Sequence, residues 1–298
     1  MHYVQPVYRP PSEASSLIIQ ATLGCPHNKC QFCFIYKGKR FKIKPVEEIK
    51  SDVTQAKVLY GDSVRTIFLA DGNAVVMKTD ELIEILDLCH ALFPKLERVT
   101  SYGAANIILK TKTPEDMNRL RKAGLKRIHM GLESGSDEVL KYMCKGATAQ
   151  EMIDASRMVK EAGMELSQYV LLGLGGKALT KEHAVETARV LNAMDPDFIR
   201  VRTLLIRPDA PLYEKVVKGE FVPVTQEEVL KETRLLIENL DVHSEFHSDH
   251  VTNIANVNGR LPQDKSMMLD RLDALIVDAS RRQQDRDWAV DHDGIRRV

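Results

Sequence analysis

Three cysteines lie close together near the start of the sequence, at the spacing Cys-x4-Cys-x2-Cys: Cys25, Cys30 and Cys33. Thiolates are the ligands that favour zinc, copper(I) and iron–sulfur clusters. A structural zinc needs a fourth ligand. The nearby candidates are His27 and Asn28, and His27 lies closer to Cys25 than zinc ligands usually do. A three-cysteine set leaves one iron of a [4Fe-4S] cluster open to another molecule. The spacing therefore predicts a metal-binding loop and favours an iron–sulfur cluster over zinc.

The other two cysteines are less informative. Cys89 falls on an apolar stripe of a predicted helix, which predicts a buried core position. The stripe consists of Leu82, Ile85, Leu86, Cys89, Leu92 and Phe93. Cys144 has no partner at ligand spacing and stays unassigned. Three clustered cysteines among five argue against a secreted disulfide framework and for metal or redox chemistry.

Composition limits the choice of partners. Lys+Arg and Asp+Glu both number 42 in the 298 residues, so the formal charge is zero and predicts no overall attraction to nucleic acid or to an anionic membrane. The sequence shows neither a signal segment nor an apolar run of membrane-spanning length, so we expect a cytoplasmic protein with no membrane partner. Residues 37–44, KGKRFKIK, place five basic side chains beside the cysteine loop. This segment either attracts RNA or a phosphorylated substrate or is an ordinary solvated loop.

The elements that must position the cysteines follow an alternating pattern. Short apolar or β-branched runs alternate with longer amphipathic stretches, which is typical of repeated βα units in an α/β fold with a parallel sheet. Six strands are predicted, at residues 16–22, 65–70, 98–102, 127–132, 166–172 and 197–205. Helix starts are indicated at Thr113, Thr148 and Thr225, and helix ends at Gly61, Gly124 and Gly163. Six such units form either an open partial barrel or a doubly wound sheet, and both place an active site at the carboxyl ends of the strands.

Polar residues and glycines occur where such a site would lie. Those that follow the second, fourth and fifth predicted strands are Asp71, Gly72, Asn73, Glu133, Ser134 and Gly173. Ordinary structural interpretations exist beside the functional one. Asp71 and its neighbours could form a plain strand-to-loop turn, and Ser134 could cap the next helix.

Two further features accompany the cysteine loop and the six βα units. Phe32 directly precedes Cys33, and the segment GLESGS occupies residues 131–136. With these features the chain, over about residues 17–205, resembles the radical S-adenosylmethionine (SAM) superfamily. The resemblance is to the branch that includes Elp3-type, MiaB-type, NifB-type and coproporphyrinogen-dehydrogenase-type enzymes. Four residues separate the first two cysteines here, where the family's commonest spacing has three, and this departure leaves the subfamily open.

The resemblance implies a fold and a chemistry. The fold is a partial (β/α)6, TIM-like barrel over residues 1–207, with the cluster loop at 24–40 and a C-terminal capping extension of mixed helix and loop over 208–298. The chemistry is reductive cleavage of SAM at a [4Fe-4S] cluster whose fourth iron is chelated by the amino and carboxylate groups of SAM. The products would be methionine and a 5′-deoxyadenosyl radical. An external one-electron reductant of the flavodoxin or ferredoxin type would supply the electron, and the reaction class would be oxidoreductase or transferase.

The resemblance also implies roles for individual residues. Cys25, Cys30 and Cys33 would ligate the cluster. The residues that would bind the cofactor are Phe32 beside the cluster, Asp71, Gly72 and Asn73 at the methionine amino group, Glu133 and Ser134 at the ribose, and Val170 and Gly173 at the adenine.

The substrate-facing candidates lie on the sixth strand and in the extension. Arg200 and Arg202 share one face of the strand, which either lines the barrel or pairs with helix carboxylates. Arg207, at the end of the strand, is expected to bind substrate. His247 and His250 belong to the run HSEFHSDH. Its side chains could bind a metal or act as acid–base groups. The interpretation we favour is a hydrogen-bonded loop over the barrel mouth. The charged tail, residues 278–298, is expected to be a helix or a mobile end.

The sequence therefore predicts a radical SAM enzyme that abstracts hydrogen from an unidentified substrate. The alternative is a zinc-stabilised RNA-binding or tRNA-modifying protein. The neutral total charge favours a small-molecule or tetrapyrrole-like substrate over nucleic acid.

Overall fold

The computed structural model of this protein describes residues 1–281, which divide into two compact units. The first unit contains Met1–Asn28, Gly38–Gly131 and Asp154–Ser167. The second contains Lys29–Lys37, Leu132–Ile153 and the described residues from Gln168 onward. Most of the predicted charged tail, residues 282–298, lies outside the described residues.

Most strand pairs of the structure are parallel. The strands are β1 (Leu17–Gln20), β2 (Thr22–Leu23), β3 (Lys42–Ile43), β4 (Thr66–Ala70), β5 (Arg98–Gly103), β6 (Leu125–Glu133), β7 (Glu165–Leu172), β8 (Phe198–Thr203), β9 (Glu245–His247) and β10 (Gly259–Arg260). An eight-stranded sheet has the order β1-β4-β5-β6-β7-β8-β9-β10, and β2 and β3 form a two-stranded sheet. The pairs β1/β4, β4/β5, β5/β6 and β8/β9 are parallel, whereas β9/β10 and β2/β3 are antiparallel.

Helices connect the strands of the large sheet. They are α1 (Val46–Tyr60), α2 (Thr79–Leu92), α3 (Ala105–Thr111), α4 (Pro114–Lys122), α5 (Asp137–Tyr142), α6 (Ala149–Glu161), α7 (Gly176–Met194), α8 (Leu212–Val217), α9 (Gln226–Glu238) and α10 (Lys265–Arg281). This alternation confirms the α/β class and the six predicted βα units. No helix within residues 1–281 is both long and apolar enough to cross a membrane.

The predicted helix caps are present. The side chain of Thr113 accepts a hydrogen bond from the Asp116 N–H (3.1 Å), and the Asp116 carboxylate accepts from the Thr113 N–H (2.9 Å), which completes a capping box. Thr225 forms the same arrangement with Glu228 at the start of α9. Because these bonds satisfy N–H groups that have no partner inside the helix, the local sequence is enough to determine where α4 and α9 begin.

The first predicted strand differs from the structure. Residues 16–22 were expected to form one strand, but β1 and β2 are separate. β1 pairs with β4 in the large sheet, whereas β2 pairs with β3 on the far side of the cysteine loop. The interruption is therefore caused by a change of pairing partner, which the hydrophobic pattern does not reveal.

Each unit has its own core. In the first, Phe68 contacts Tyr102 edge to face at 5.1 Å, and the ring of His129 lies 6.2 Å from both. His129 also lies 3.0 Å from the carboxylate of Glu13, and both residues are fully buried. Burial raises the pKa of Glu13, but hydrogen bonds from His129 and Ser16 outweigh it and hold that pKa below its ordinary value. In the second unit a separate apolar cluster contains Val139, Met143, Leu174, Leu204, Ile206, Leu212 and Phe221.

Part of the histidine-rich run is a strand. We expected a hydrogen-bonded loop there, and this expectation is wrong for Glu245–His247, which form β9 and pair in parallel with β8. Phe246 lies opposite Ile199, and neither side chain has exposed surface. Burial of this one aromatic side chain against β8 explains why such a polar run adopts extended structure.

Thr113→Ala is expected to lower the free energy of unfolding by about 1 kcal/mol, because it removes the capping hydroxyl of α4. Thr113→Ser keeps the hydroxyl and should unfold like the parent protein. Urea titrations followed by circular dichroism measure both variants. An equal loss in the two would show that the methyl group, rather than the cap, is responsible.

Candidate active site

The cysteine loop runs from the end of β2 to the start of β3 without regular helix or strand. Cys25, Cys30 and Cys33 are all partly exposed, and none of the five cysteines, which all lie within the described residues, forms a disulfide. The Cys33 N–H donates to the Cys30 carbonyl at 3.4 Å, which tightens the turn between these two thiols. Partly exposed thiols on an irregular loop are chemically suited to bind a metal cluster.

Asp71, directly after β4, holds both ends of this loop. Its side chain is fully buried and accepts three hydrogen bonds. The donors are the Gln20 side chain (3.1 Å), the Gly24 N–H (3.1 Å) and the Lys39 ammonium (3.0 Å). Gly24 and Lys39 lie at the beginning and end of the predicted cluster loop, so one carboxylate closes it.

Gly24 is required at its position for two reasons. Its φ of +70° lies in the left-handed region, and a Cβ there would sit 3.0 Å from the Lys39 carbonyl oxygen. The Gly24 carbonyl also accepts from the Gly72 N–H at 3.1 Å. The two ends of the loop therefore approach each other more closely than a larger residue would allow.

The three residues predicted at the methionine amino group have different environments. The Asp71 carboxylate is already engaged by its three donors, and the Gly72 N–H binds Gly24. Asn73 is fully buried, and neither atom of its amide has a hydrogen-bond partner within residues 1–281. A buried amide costs free energy unless it is paired. Asn73 is thus the residue of this group whose side chain fits a polar ligand.

Glu133 and Ser134, predicted at the ribose, lie at the end of β6 in the second unit. Glu133 has a φ of +64° and pairs through its carboxylate with the Lys145 ammonium at 3.0 Å. Ser134 is fully buried, and its hydroxyl lies 2.8 Å from Nδ1 of His183. Glu133 is partly exposed and Ser134 is not, so only the carboxylate is placed to contact a ligand without local movement.

Val170 and Gly173, predicted at the adenine, lie on and just after β7. Val170 is buried, and Gly173 has a φ of +81°. The Gly173 N–H donates to the carboxylate of Glu232 at 2.6 Å, and a Cβ on Gly173 would approach the Val224 side chain to 2.9 Å. Backbone conformation and close packing both require glycine here.

A buried polar network joins the strand ends at Ser134 and Gly173. Glu232, from α9, accepts hydrogen bonds from the Gly173 N–H and the Thr180 hydroxyl and lies 3.6 Å from Nε2 of His183, which in turn contacts Ser134. Sequence reasoning missed His183 and Glu232, although His183 and Thr187 lie one turn apart on α7 and the Thr187 hydroxyl accepts from the Gly135 N–H. Such a pair on a helix is a weak signal, because polar residues at this spacing are usually solvent-exposed.

The remaining predicted residues are placed as follows. Phe32 is partly buried against the apolar cluster of the second unit. The guanidinium of Arg207 lies over the Phe34 ring at 4.8 Å and pairs with Asp209, so Arg207 is beside the cysteine loop. Arg202, with His250 near it, lies over Tyr169, and His247 stacks on Phe198 at 6.3 Å.

The two isolated cysteines differ in environment. Cys89 is fully buried in α2, and burial raises its thiol pKa to about 12, which confirms a core position and makes the thiol unreactive. Cys144 is exposed.

The basic segment 37–44 is partly used inside the fold. Lys39 binds Asp71 and the carbonyls of Val4 (2.8 Å) and Pro6 (2.9 Å). Lys44 is buried and pairs with Asp52 at 2.6 Å. Two of the basic side chains therefore have structural partners, which weakens the interpretation of the segment as an RNA-binding patch.

A comparison with protein families identifies the family of this chain. The family model described as the radical SAM superfamily matches residues 19–191 of the 298-residue chain. This chain belongs to the radical SAM superfamily. Enzymes of this family bind SAM and a [4Fe-4S] cluster and generally need an electron donor.

Individual relatives are distant. The chain is 19% identical over 244 residues to the tRNA uridine(34) acetyltransferase of Methanocaldococcus jannaschii, covering 70% of this chain and 45% of that protein. It is 22% identical over 239 residues to the heme chaperone HemW of Bacillus subtilis, covering 78% and 61%. It thus spans less than two thirds of either relative.

A solved structure supports the partial-barrel fold. Methylornithine synthase matches with a TM-score of 0.53 at 16% identity, covering 89% of this chain and 85% of that one. At this identity the likeness is one of fold, and it confirms the predicted TIM-like partial barrel.

The residues present fit the cofactors of the family. Three thiols on one irregular loop match the donor set of a [4Fe-4S] cluster with one open iron. The buried amide of Asn73, which no protein group satisfies within residues 1–281, matches a polar ligand at the end of β4. No group of three or more His, Cys, Asp or Glu in that part of the chain converges on a single metal ion. In a cluster each thiolate binds a different iron, so such convergence is not required.

Asp71→Ala is expected to open the cysteine loop, because it leaves the Lys39 ammonium and the Gly24 N–H without their buried acceptor, at a cost of roughly 3 kcal/mol. Hydrogen exchange measured by mass spectrometry should speed up in peptides that cover residues 24–40. Asp71→Asn, which keeps one acceptor oxygen, should fall between Asp71→Ala and the parent. Asp62→Ala removes an exposed ion pair with Lys57 and serves as the control. Unchanged exchange in Asp71→Ala would contradict the role of the carboxylate.

Gly135→Ala is expected to disturb the junction between β6 and α7. Its Cβ would overlap the backbone of Glu186 and lie 2.6 Å from the Thr187 Cα, so we expect a loss of about 2–3 kcal/mol in the free energy of unfolding. Gly219→Ala is the control, because its φ is +73° but nothing lies within 4 Å of a Cβ there, and it should cost about 1 kcal/mol. Denaturant unfolding measures both, and equal costs would show that the close approach is unimportant.

Proposed function

We propose that this protein cleaves SAM reductively at a [4Fe-4S] cluster held by Cys25, Cys30 and Cys33, and that it uses the product radical to abstract hydrogen from a substrate. The observation that carries this proposal is the cysteine loop, which has three partly exposed thiols and is closed at both ends by Asp71. Membership of the superfamily supports the cleavage chemistry.

The residues around the cysteine loop have different proposed roles, which follow from their positions. The three thiolates would each bind one iron, which leaves the fourth iron for SAM. Asn73 would use its buried amide to hold the methionine part, close to the backbone of Gly72. Asp71, whose carboxylate is occupied, would act by shaping the loop rather than by touching SAM.

The nucleoside part of SAM would lie at the strand ends of the second unit. Glu133 would accept hydrogen bonds from the ribose hydroxyls, with Ser134 and His183 fixing the end of β6 beneath it. Val170 and Gly173 would flank the adenine. Phe32 would cover the cluster side of the site. When bound, the reduced cluster supplies the electron that breaks a carbon–sulfur bond of SAM.

Enzymes of this family generally need an electron donor. We propose a flavodoxin or ferredoxin as the donor, since both are one-electron carriers at low potential. A thiol-ligated cluster and five cysteines without disulfides suit a reducing compartment, so we place the protein in the cytoplasm.

The substrate proposed is a small molecule, with a tetrapyrrole-like compound among the candidates. The similarity to a heme chaperone supports that class. The similarity to a tRNA uridine(34) acetyltransferase favours the alternative of a tRNA substrate. Against tRNA stand the zero formal charge and the internal ion pairs of Lys39 and Lys44. We therefore retain the tRNA-modifying or zinc-stabilised RNA-binding protein as the second candidate.

Cys25→Ala, Cys30→Ala and Cys33→Ala are each expected to abolish cluster binding and SAM cleavage. The protein would be purified and reconstituted without oxygen, assayed for iron and sulfide, and tested for 5′-deoxyadenosine formation with dithionite. Cys144→Ala, which changes an exposed cysteine outside the loop, should keep both properties.

Two results would contradict the proposal. One is a parent protein that stays colourless after reconstitution. The other is stoichiometric zinc together with no SAM cleavage, which would favour the zinc-stabilised alternative.

A further inference from the structure

Arg200 and Arg202 lie on the same face of β8, in the second unit. The residues between and beside them, Ile199 and Val201, point to the opposite face and are buried. The arginines are only partly exposed. The strand thus presents two guanidinium groups two residues apart on one partly enclosed surface.

The guanidinium of Arg202 contacts an aromatic ring and forms no ion pair with a carboxylate among residues 1–281. Its guanidinium lies over the Tyr169 ring, 5.0 Å from the centroid. No Asp or Glu within residues 1–281 forms an ion pair with it. An aromatic face offsets only part of the cost of removing a guanidinium from water.

Two histidines near the arginines have lowered pKa values, mainly because they are buried. Burial lowers the pKa of His250 to about 4, with the charge of Arg202 adding to the effect and that of Asp249 opposing it. The Thr252 N–H donates to Nδ1 of His250 at 3.2 Å, so that nitrogen carries no proton. Burial and then Arg200 lower the pKa of His247, opposed by Asp249 and Glu245. Both pKa values lie below the ordinary value of histidine, so both rings are neutral near pH 7 and add no positive charge of their own.

The loop beside Arg202 is fixed in position. Asn253 donates through its side chain to the Val201 carbonyl at 2.9 Å and accepts from the Thr203 hydroxyl at 3.2 Å. These bonds tie the loop after β9 to the strand that carries Arg202. A ligand would meet an arranged group of side chains, so little ordering is needed on binding.

We infer that Arg202, with His250 beside it, forms a binding site for an anionic group of the substrate, either a carboxylate or a phosphate. A planar guanidinium binds both groups through two parallel hydrogen bonds. This inference rests on the proposed function, since it assigns the site to the substrate of the radical reaction. It also narrows the substrate class to molecules that carry at least one anionic group.

The inference can be tested on the full chain with its cluster reconstituted. Nuclear magnetic resonance of ¹³C-labelled histidine follows the His250 ring between about pH 3 and 7, a range that brackets its lowered pKa of about 4, with the resonance assigned from a His250→Gln variant. Inorganic phosphate and acetate are the two probes, and the more effective one indicates which anion the site prefers. In the parent protein, bound anion should raise the pKa of His250 by about one unit, because it offsets the charge of Arg202.

Arg202→Gln should raise the pKa of His250 without any probe and should abolish its response to both anions. Arg189→Gln is the matched control, because Arg189 is exposed and already pairs with Glu186. Equal responses to anions in the parent and in Arg202→Gln would overturn the inference. So would a more than tenfold loss of SAM affinity in Arg202→Gln, because Arg202 would then serve the carboxylate of SAM.

The same preparation separates the two proposals. A protein that binds phosphate through Arg202 but never acquires a cluster would refute the proposed function and leave the anion site in place. A protein that cleaves SAM but shows no anion response would refute only the site.

Discussion

The buried carboxylate of Asp71 is the constraint on which the arrangement of the first unit depends. It accepts from Gln20 on β1, from the backbone at the start of the cysteine loop and from Lys39 at the end of that loop. Lys39 also binds two carbonyls of the N-terminal segment. Because a charged acceptor strengthens each of these bonds in a water-free site, one side chain determines where the loop leaves and rejoins the fold. This closure holds both ends of the segment that carries the cysteines.

The second unit uses a carboxylate in a similar way. Glu232 comes from α9, well after the sixth βα unit, and binds the backbone N–H that follows β7. Its neighbour His183 contacts Ser134 at the end of β6. A helix that follows the sixth strand in the sequence therefore supports strand ends predicted to bind SAM. Glu232 thus has a positioning role that the sequence does not suggest.

A neutral formal charge does not imply a neutral surface near the site. Arg202 forms no ion pair among residues 1–281, while two lysines that looked available for nucleic acid, Lys39 and Lys44, form internal ion pairs. Field strength in a partly enclosed site depends on which charges are paired, and the net count does not show this. The distribution of pairs therefore says more about the substrate than the composition does.

The sequence by itself determined the features that depend on neighbours along the chain. These include the three cysteines, the alternation of strands and helices, the capping boxes and the core position of Cys89, because periodicity and capping act over a few residues. Only the tertiary structure decided which polar groups meet. Gly24 and Asp71 are 47 residues apart in sequence, Ser134 and His183 49, and Gly173 and Glu232 59. β9 likewise required its partner β8 to become a strand. Contacts over such distances arise from the folding of the whole chain, so no local pattern encodes them.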